Sequence, residues 1–351
     1  MIVLGLFSKK SGSLLGIDIS ATSVTLLALS HQGRSYRVEA YAREDLAPDP
    51  FGADPEALAR VLSRAWLKSG SRRRDVAVAV SGEAVISKLI EMPAGLGDDE
   101  LEHQIQLEAA QYIPYPLEDV AIDFEVQGAV PGDPQRVQVL LVACRNEDVE
   151  ALEAPMTLAG LTPRVVDTAP LALQRCLSML TESLPSASPL ALALLDIGAD
   201  MTTFCVMHGQ RIIYSREQLF GSRQLTQALE RRYTLTLDQA LLAERQGCLP
   251  QGCAEDTLRP FEQALLQQAH RSLQLFAESP QQLPVERLLL AGDGSRLTGL
   301  DGRLAEQVGI VTVIADPFVS MSIAPHVDAR ALAEQAPYLL RACGLALRGF
   351  D

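Results

Sequence analysis

Two stretches of the chain repeat one pattern of apolar and polar positions. In Leu14–Leu29, the run Leu14-Leu-Gly-Ile17 enters Asp18, small polar residues Ser20-Ala-Thr-Ser23 follow, and Val24–Leu29 leaves. In Leu192–Met207, Leu192–Leu195 enters Asp196, Gly198 and its neighbours turn the chain, and a second apolar run leaves. Apolar runs bounded by turn residues predict β-hairpins with exposed tips. Each is followed by a third strand-like segment, Tyr36–Tyr41 and Arg211–Ser215, as a repeated three-strand meander requires. The two aspartates lie about half a chain apart, so the pattern predicts two halves of one design.

Between the meanders, Asp54-Pro55 supplies an N-cap and a proline at the first helical position. Leu58, Val61, Leu62, Ala65 and Trp66 mark the apolar face, and Gly70 ends the helix. Asp75–Ser81 reads as a buried strand leading to Ser81-Gly82. From Ala84 the texture changes. Val85–Glu91 is strand-like, and Asp98-Asp-Glu100 opens a helix carrying Leu101, Ile105 and Ala109. Val120–Val126 alternates, with Val120, Ile122, Phe124 and Val126 on one face, and Val137–Ala143 is another strand. Asn146 is expected to cap a helix ending near Gly160. Arg164–Asp167 and Ala169–Leu180 resume the first fold, and Glu182–Pro189, rich in Ser, Pro and Ala, reads as a linker. Beyond the second meander come a helix from Ser222 to about Arg232 and further helix to Ser279. Strand Glu286–Ala291 runs into Gly292-Asp-Gly-Ser295, a helix starts at Gly299, strand Ile310–Ala315 follows, and Leu339–Leu347 is a returning helix. The expected division is 1–83, an inserted α/β subdomain over 84–163, a return with linker over 164–189, a second domain over 190–320, and a C-terminal return over 321–351.

Composition narrows the function classes. The 351 residues are 48% hydrophobic, enough for two cores. A net charge of −14 disfavours a nucleic-acid partner, and Arg72-Arg-Arg74 reads as a solvated loop. No apolar run reaches the ~20 residues that cross a bilayer, and Lys9-Lys10 follow Met1–Phe7 instead of preceding it as in a signal peptide, so a cytoplasmic protein is expected. Six cysteines imply reduced thiols. Cys248 and Cys253 lack the second pair that zinc needs. The five histidines never stand at i, i+4 with a glutamate, and no Gly-x-Ser-x-Gly elbow occurs.

The chemistry lies at the hairpin tips. Gly198 permits close backbone approach, the N–H groups of Ala199 to Thr202 can converge on an anion, and Asp18 and Asp196 stand where each could hold a metal-bound water. Asp-x-Gly also closes ordinary hairpins, and both readings stand. Two such hairpins suggest one nucleotide in a shared cleft, and here the chain resembles the actin-like ATPase superfamily. More specific are Leu15-Gly-Ile-Asp-Ile-Ser20, Gln111-Tyr-Ile-Pro-Tyr-Pro-Leu-Glu118, Asp196-Ile-Gly-Ala199 with Met201-Thr-Thr203, Arg216-Glu-Gln-Leu-Phe-Gly221 and Ala342-Cys-Gly-Leu-Ala-Leu347. These resemble the PilM family of type IV pilus assembly over essentially the whole chain.

That resemblance implies an α/β actin-like ATPase fold: two ribonuclease-H-like domains with an inserted subdomain in the style of FtsA. It implies a cytoplasmic scaffold, peripheral at the inner membrane through its partners, which binds the N-terminal peptide of PilN and holds ATP with Mg. Carried over, Asp18 and Asp196 match the acidic residues around the metal, and Ser20, Ser23, Gly198 and Thr202 the phosphate contacts. Gly221 matches a glycine before a helix, and Gly292, with Gly294 and Ser295 in the same turn, the adenosine segment. The departures are Thr25 where a lysine is expected near the phosphates, Ala169 for a glutamate, Ser222 and Asp293 for second glycines, and Leu241-Leu-Ala-Glu244 for Glu-x-x-Lys. They predict a cleft short of cations, weak nucleotide affinity and negligible turnover. An actin-fold kinase or phosphatase and an FtsA-like filament tether are the alternatives. Tyr112, Ile113, Tyr115, Pro116 and Leu117, on a stretch whose prolines cannot continue a helix, form either a packing elbow or the groove for the PilN peptide.

Overall fold

The computed structural model describes residues 12–33, 35–46, 54–80, 84–130, 132–182, 191–246 and 254–350. The Met1–Phe7 segment with Lys9 and Lys10, Ser81-Gly82, most of the expected linker, and Cys248 and Cys253 lie outside them. The chain divides into two units. One comprises Met1–Ile19, Ser23–Leu173 and Arg341–Asp351, the other Ser20–Thr22 and Gln174–Leu340.

In the first unit the apolar runs become β1 (Leu15–Ile19) and β2 (Ser23–Gln32), and β3 (Ser35–Asp45) completes the meander. The helix α1 (Pro55–Ser69) starts as its sequence dictates: Asp54 accepts hydrogen bonds from the backbone N–H groups of Glu56 and Ala57, and Gly70 closes it in the left-handed conformation. Then follow β4 (Asp75–Val80), β5 (Val85–Pro93), α2 (Asp98–Tyr112), β6 (Val120–Val130), β7 (Asp133–Arg145), α3 (Asn146–Leu158), β8 (Thr162–Thr168) and, to Leu173, the first residues of α4 (Ala169–Glu182). Strands of this unit pair in the order β3-β2-β1-β4-β8, with β1, β4 and β8 parallel. A separate three-stranded antiparallel sheet, β5-β7-β6, carries α2 on one face over a core of Ile90, Met92, Leu101, Ile105, Ala109, Ile113, Val139 and Leu141.

Three details differ from the sequence pattern. Asn146 is the first residue of α3 and not its cap; its side-chain amide donates to the Glu118 carbonyl at 3.0 Å, tying the helix start to the segment before β6. Val126 is 47% exposed although it shares a face with buried Val120, because β6 is an edge strand that runs beyond the cover of α2. Val149, Leu152 and Met156 of α3 belong to the core beneath β1, β4 and α1, so α3 packs with the larger sheet.

The second unit repeats the plan: β9 (Ala191–Ile197), β10 (Thr202–His208), β11 (Arg211–Gln218), helices α5 (Arg223–Tyr233), α6 (Leu237–Gln246) and α7 (Arg259–Ala277), β12 (Val285–Ala291), α8 (Leu300–Val308) and β13 (Val311–Ile314). Its order is β11-β10-β9-β12-β13, with β9, β12 and β13 parallel. In both sheets the first strand of the meander lies beside a parallel strand whose own connection leads the other way. Ligands of open α/β sheets gather outside the carboxyl ends of strands at such a switch point. Asp18 and Asp196 lie at that end of β1 and β9.

The chain ends with α9 (Ala329–Gln335) and α10 (Leu340–Leu347). Helix α10 approaches β1 so closely that a β-carbon on Gly16 would collide with the Ala342 carbonyl and the Ala346 amide, and one on Gly344 with the Ala172 carbonyl. Gly16→Ala is accordingly expected to lower the unfolding free energy by about 1–3 kcal/mol, measured by urea denaturation.

Candidate functional site

In the second unit most of the sequence-predicted residues come together through close backbone contacts. The hairpin turn closes by donation from Gly198 N–H to the Met201 carbonyl at 2.9 Å. Gly221 sits where any β-carbon would meet the carbonyls of Ala199 and Gly198, and just after it Ser222 N–H donates to Gly198 O at 2.9 Å and Arg223 N–H to Ala199 O at 2.8 Å. The first turn of α5 thus spends these N–H groups on the hairpin tip. Gly292, at φ 77°, lies against Asp196 and the Ile197 carbonyl, and Gly294 against the Ile197 side chain. Asp196 itself is buried, in register with Thr203 of β10 and Ala291 of β12.

Thr202, matched to a phosphate contact, and Ser295, matched to the adenosine turn, both give their hydroxyl protons to backbone carbonyls. Thr202 Oγ1 is fully buried and donates to the Phe220 carbonyl at 2.7 Å; Ser295 Oγ donates to the Gly292 carbonyl at 2.7 Å. A hydroxyl has one proton to give, so neither oxygen donates to a phosphate while these bonds stand. The acid at position 293 also has work within this unit. The tip Ser20–Thr22 groups with it, and Thr22 Oγ1 donates to Asp293 Oδ2 at 2.7 Å, while Thr22 N–H donates to Ser20 Oγ at 3.3 Å.

In the first unit, Asp18 is buried at the end of β1, in register with Thr25 of β2. Ser23 is buried at the start of β2. The Thr25 hydroxyl is buried and has no hydrogen-bond partner among the described residues. Arg341, in the first turn of α10, brings Nη1 to 3.9 Å from Asp18 Oδ1. Position 25 therefore lacks the lysine, yet a cation stands by Asp18 after all. Sequence reasoning missed Arg341 because it lies at the far end of the chain. It also missed Asp200, whose carboxylate accepts from Arg223 Nη2 at 2.8 Å; an acid at the tip and an arginine just after Gly221 were the available signal.

These residues suit a phosphate ester better than a divalent metal. In the first unit an orphaned hydroxyl, that of Thr25, and the Arg341 guanidinium stand at the end of β1, where an anion could be met. A metal at Asp18 would face the guanidinium of Arg341. Mg therefore does not fit at Asp18.

The aromatic stretch divides its residues. Helix α2 ends at Tyr112, and Ile113, only 5% exposed, enters the core beneath the three-stranded sheet, where Leu117 also packs. Tyr112 and Tyr115 are 38% and 44% exposed, and Pro116 is exposed. Lys88 Nζ lies 5.5 Å from the Tyr112 ring centre and the Arg145 guanidinium 5.8 Å from that of Tyr115. Among the described residues, no helix is long and apolar enough to cross a membrane.

The charge of Asp196 also reaches the neighbouring strand. Burial, and then the Asp196 carboxylate, push the Cys205 thiol up to about 12. The folded chain thus keeps a proton that the unfolded chain loses near pH 9, so this contribution to stability is fully present below pH 9 and is lost as pH rises toward 12. Above pH 9 the unfolding free energy is expected to fall by about 1.4 kcal/mol per pH unit on this account, and Cys205→Ala to remove that share, as read by urea denaturation of both chains at several pH values.

The model of the family described as type IV pilus assembly protein PilM matches residues 16–350. Among solved structures, one of the PilM-PilN type IV pilus biogenesis complex is 30% identical with a TM-score of 0.81, covering 97% of this chain and 99% of that one. The ethanolamine utilization protein EutJ from Carboxydothermus hydrogenoformans is 15% identical with a TM-score of 0.55, covering 96% and 89%, a likeness of fold alone.

Proposed function

The chain belongs to the PilM family of type IV pilus assembly proteins, and on that premise we propose that it works as an actin-like scaffold on the cytoplasmic side of the inner membrane, binding the N-terminal peptide of PilN. The observation that carries this reading is the family match over residues 16–350, together with a solved relative that was captured in complex with PilN. The elbow after α2 supplies the surface. Ile113 and Leu117 hold it in the core of the three-stranded sheet, which leaves Tyr112, Tyr115 and Pro116 outward. Prolines cannot continue the helix, and amphipathic rings on a fixed backbone offer contact area at little entropic cost. In this reading the inserted subdomain is the three-stranded sheet β5-β7-β6 with α2, within segment 84–163, and its border with the rest of the first unit is where the peptide lies.

The two acidic hairpins are the proposed nucleotide-binding elements, for ATP or ADP. Asp18 and Ser23 in the first unit, and Ser20, Asp196, Gly198, Gly221, Gly292 and Gly294 in the second, are assigned to these elements through backbone approach and charge, with Thr202 and Ser295 holding the turns that shape the second. The proposal is a binding site. A kinase or phosphatase reading would need a general base beside the terminal phosphate.

Peptide binding tests the scaffold reading. Tyr112→Ser and Tyr115→Ser are each expected to weaken binding of a labelled PilN N-terminal peptide about tenfold, in fluorescence anisotropy on the full chain. Leu158→Ser, which removes an exposed apolar side chain from α3, is the control and should leave the affinity unchanged. Equal losses in all three, or none in the tyrosine variants, would place the peptide elsewhere.

A further inference from the structure

We infer that Arg341 is the built-in cation of the nucleotide site, standing where Mg would otherwise neutralise Asp18, and that nucleotide binding by this chain is therefore independent of divalent metal. The inference rests on the nucleotide reading above and adds to it the identity of the phosphate ligand.

Three observations within the first unit converge. Asp18 and Thr25 are cross-strand partners on one face of β1 and β2, both buried, and Arg341 Nη1 is 3.9 Å from the Asp18 carboxylate. The Thr25 hydroxyl beside them is buried with no partner among the described residues, an arrangement that costs free energy unless something accepts its proton. Arg341 lies in the first turn of α10, the end of a helix where a positive charge is disfavoured. Its presence there is accounted for by an anion that it faces. The backbone of α10 is held against Gly16, two residues before Asp18, so the guanidinium is delivered to the end of β1 by a rigid contact.

The charge arithmetic follows. A lysine at position 25 with Mg at Asp18 would give one distribution of charge; threonine at 25 with arginine at 341 gives another, in which one guanidinium both offsets the carboxylate and presents planar N–H donors to a phosphate. A dication cannot share the Asp18 carboxylate with that guanidinium without repulsion. Loss of the lysine is thus compensated from the opposite end of the chain.

The test is calorimetric binding of ADP and of ATP to the full chain, once with excess Mg and once with EDTA. The parent chain is expected to bind with affinities within about threefold of each other under the two conditions. Arg341→Met should lose roughly tenfold in EDTA, with Mg restoring part of the loss, and Arg341→Lys should stay between the two. Arg341→Met removes a cation from beside the buried Asp18 carboxylate, so Asp18→Asn combined with Arg341→Met guards against simple unfolding; it should keep its melting temperature near that of the parent and still lose the affinity. If the parent binds only with Mg and Arg341→Met binds as the parent does, the inference falls while the nucleotide reading stands. If the parent binds neither nucleotide in either condition, the nucleotide reading itself fails and takes the inference with it.

Discussion

The absence of a side chain at residue 16 sets the distance between β1 and α10, and much of the first unit depends on that distance. Because the Ala342 and Ala346 backbone can lie directly on Gly16, the C-terminal helix covers the central strand of the larger sheet. A β-carbon there would force the helix outward and open the apolar contact in which Leu345 joins Leu14, Ala77, Val165 and Ala172. It would also carry Arg341 away from Asp18. One backbone contact therefore serves the core and the electrostatics at once, which is why the helix that closes the fold can also supply charge to its site.

The two units solve the same problem with different means. Each places an aspartate at the carboxyl end of a central strand, at the switch point of a sheet with the same strand order. In the first, the neighbouring charge is an arginine on the closing helix. In the second, glycines do the work: Gly292 and Gly221 let backbone press on Asp196 and on the hairpin tip, and the extra acid at the tip, Asp200, is held by Arg223 of α5. Consequently the first N–H groups of α5 bind carbonyls of the tip, and the helix start acts as a brace for the hairpin.

How much of this was legible in the sequence follows from the range of the interactions involved. Hairpins and the capped helix after Asp54 are local, set by apolar runs bounded by turn residues and by side chains two or three residues from the groups they bind, and they stand in the structure where the pattern put them. Asn146 misled because its cap-forming chemistry was taken up by a longer-range partner, the Glu118 carbonyl. Thr202 carried the right residue type for a phosphate contact and Ser295 for the adenosine turn, but a sequence does not reveal that their hydroxyls bond the Phe220 and Gly292 carbonyls. Arg341 was invisible for the strongest reason: nothing in its own neighbourhood refers to Asp18, and only the packing of α10 on Gly16 relates them.

The elbow after α2 shows why packing and recognition need not be rival readings of one stretch. Ile113 and Leu117 are drawn into a core, and the proline-bounded chain between them presents Pro114, Tyr115 and Pro116 to solvent. Pro114 and Pro116 fix φ without needing a donor, and Asp119 N–H donates to the Pro116 carbonyl at 3.0 Å, so the backbone that carries Tyr115 is set from both sides. The Asn146 amide on Glu118 adds a further tie from α3. A surface ordered in this way before any partner arrives loses little conformational entropy on binding, and a short peptide, which has few contacts with which to offset such losses, is the kind of ligand for which that matters most.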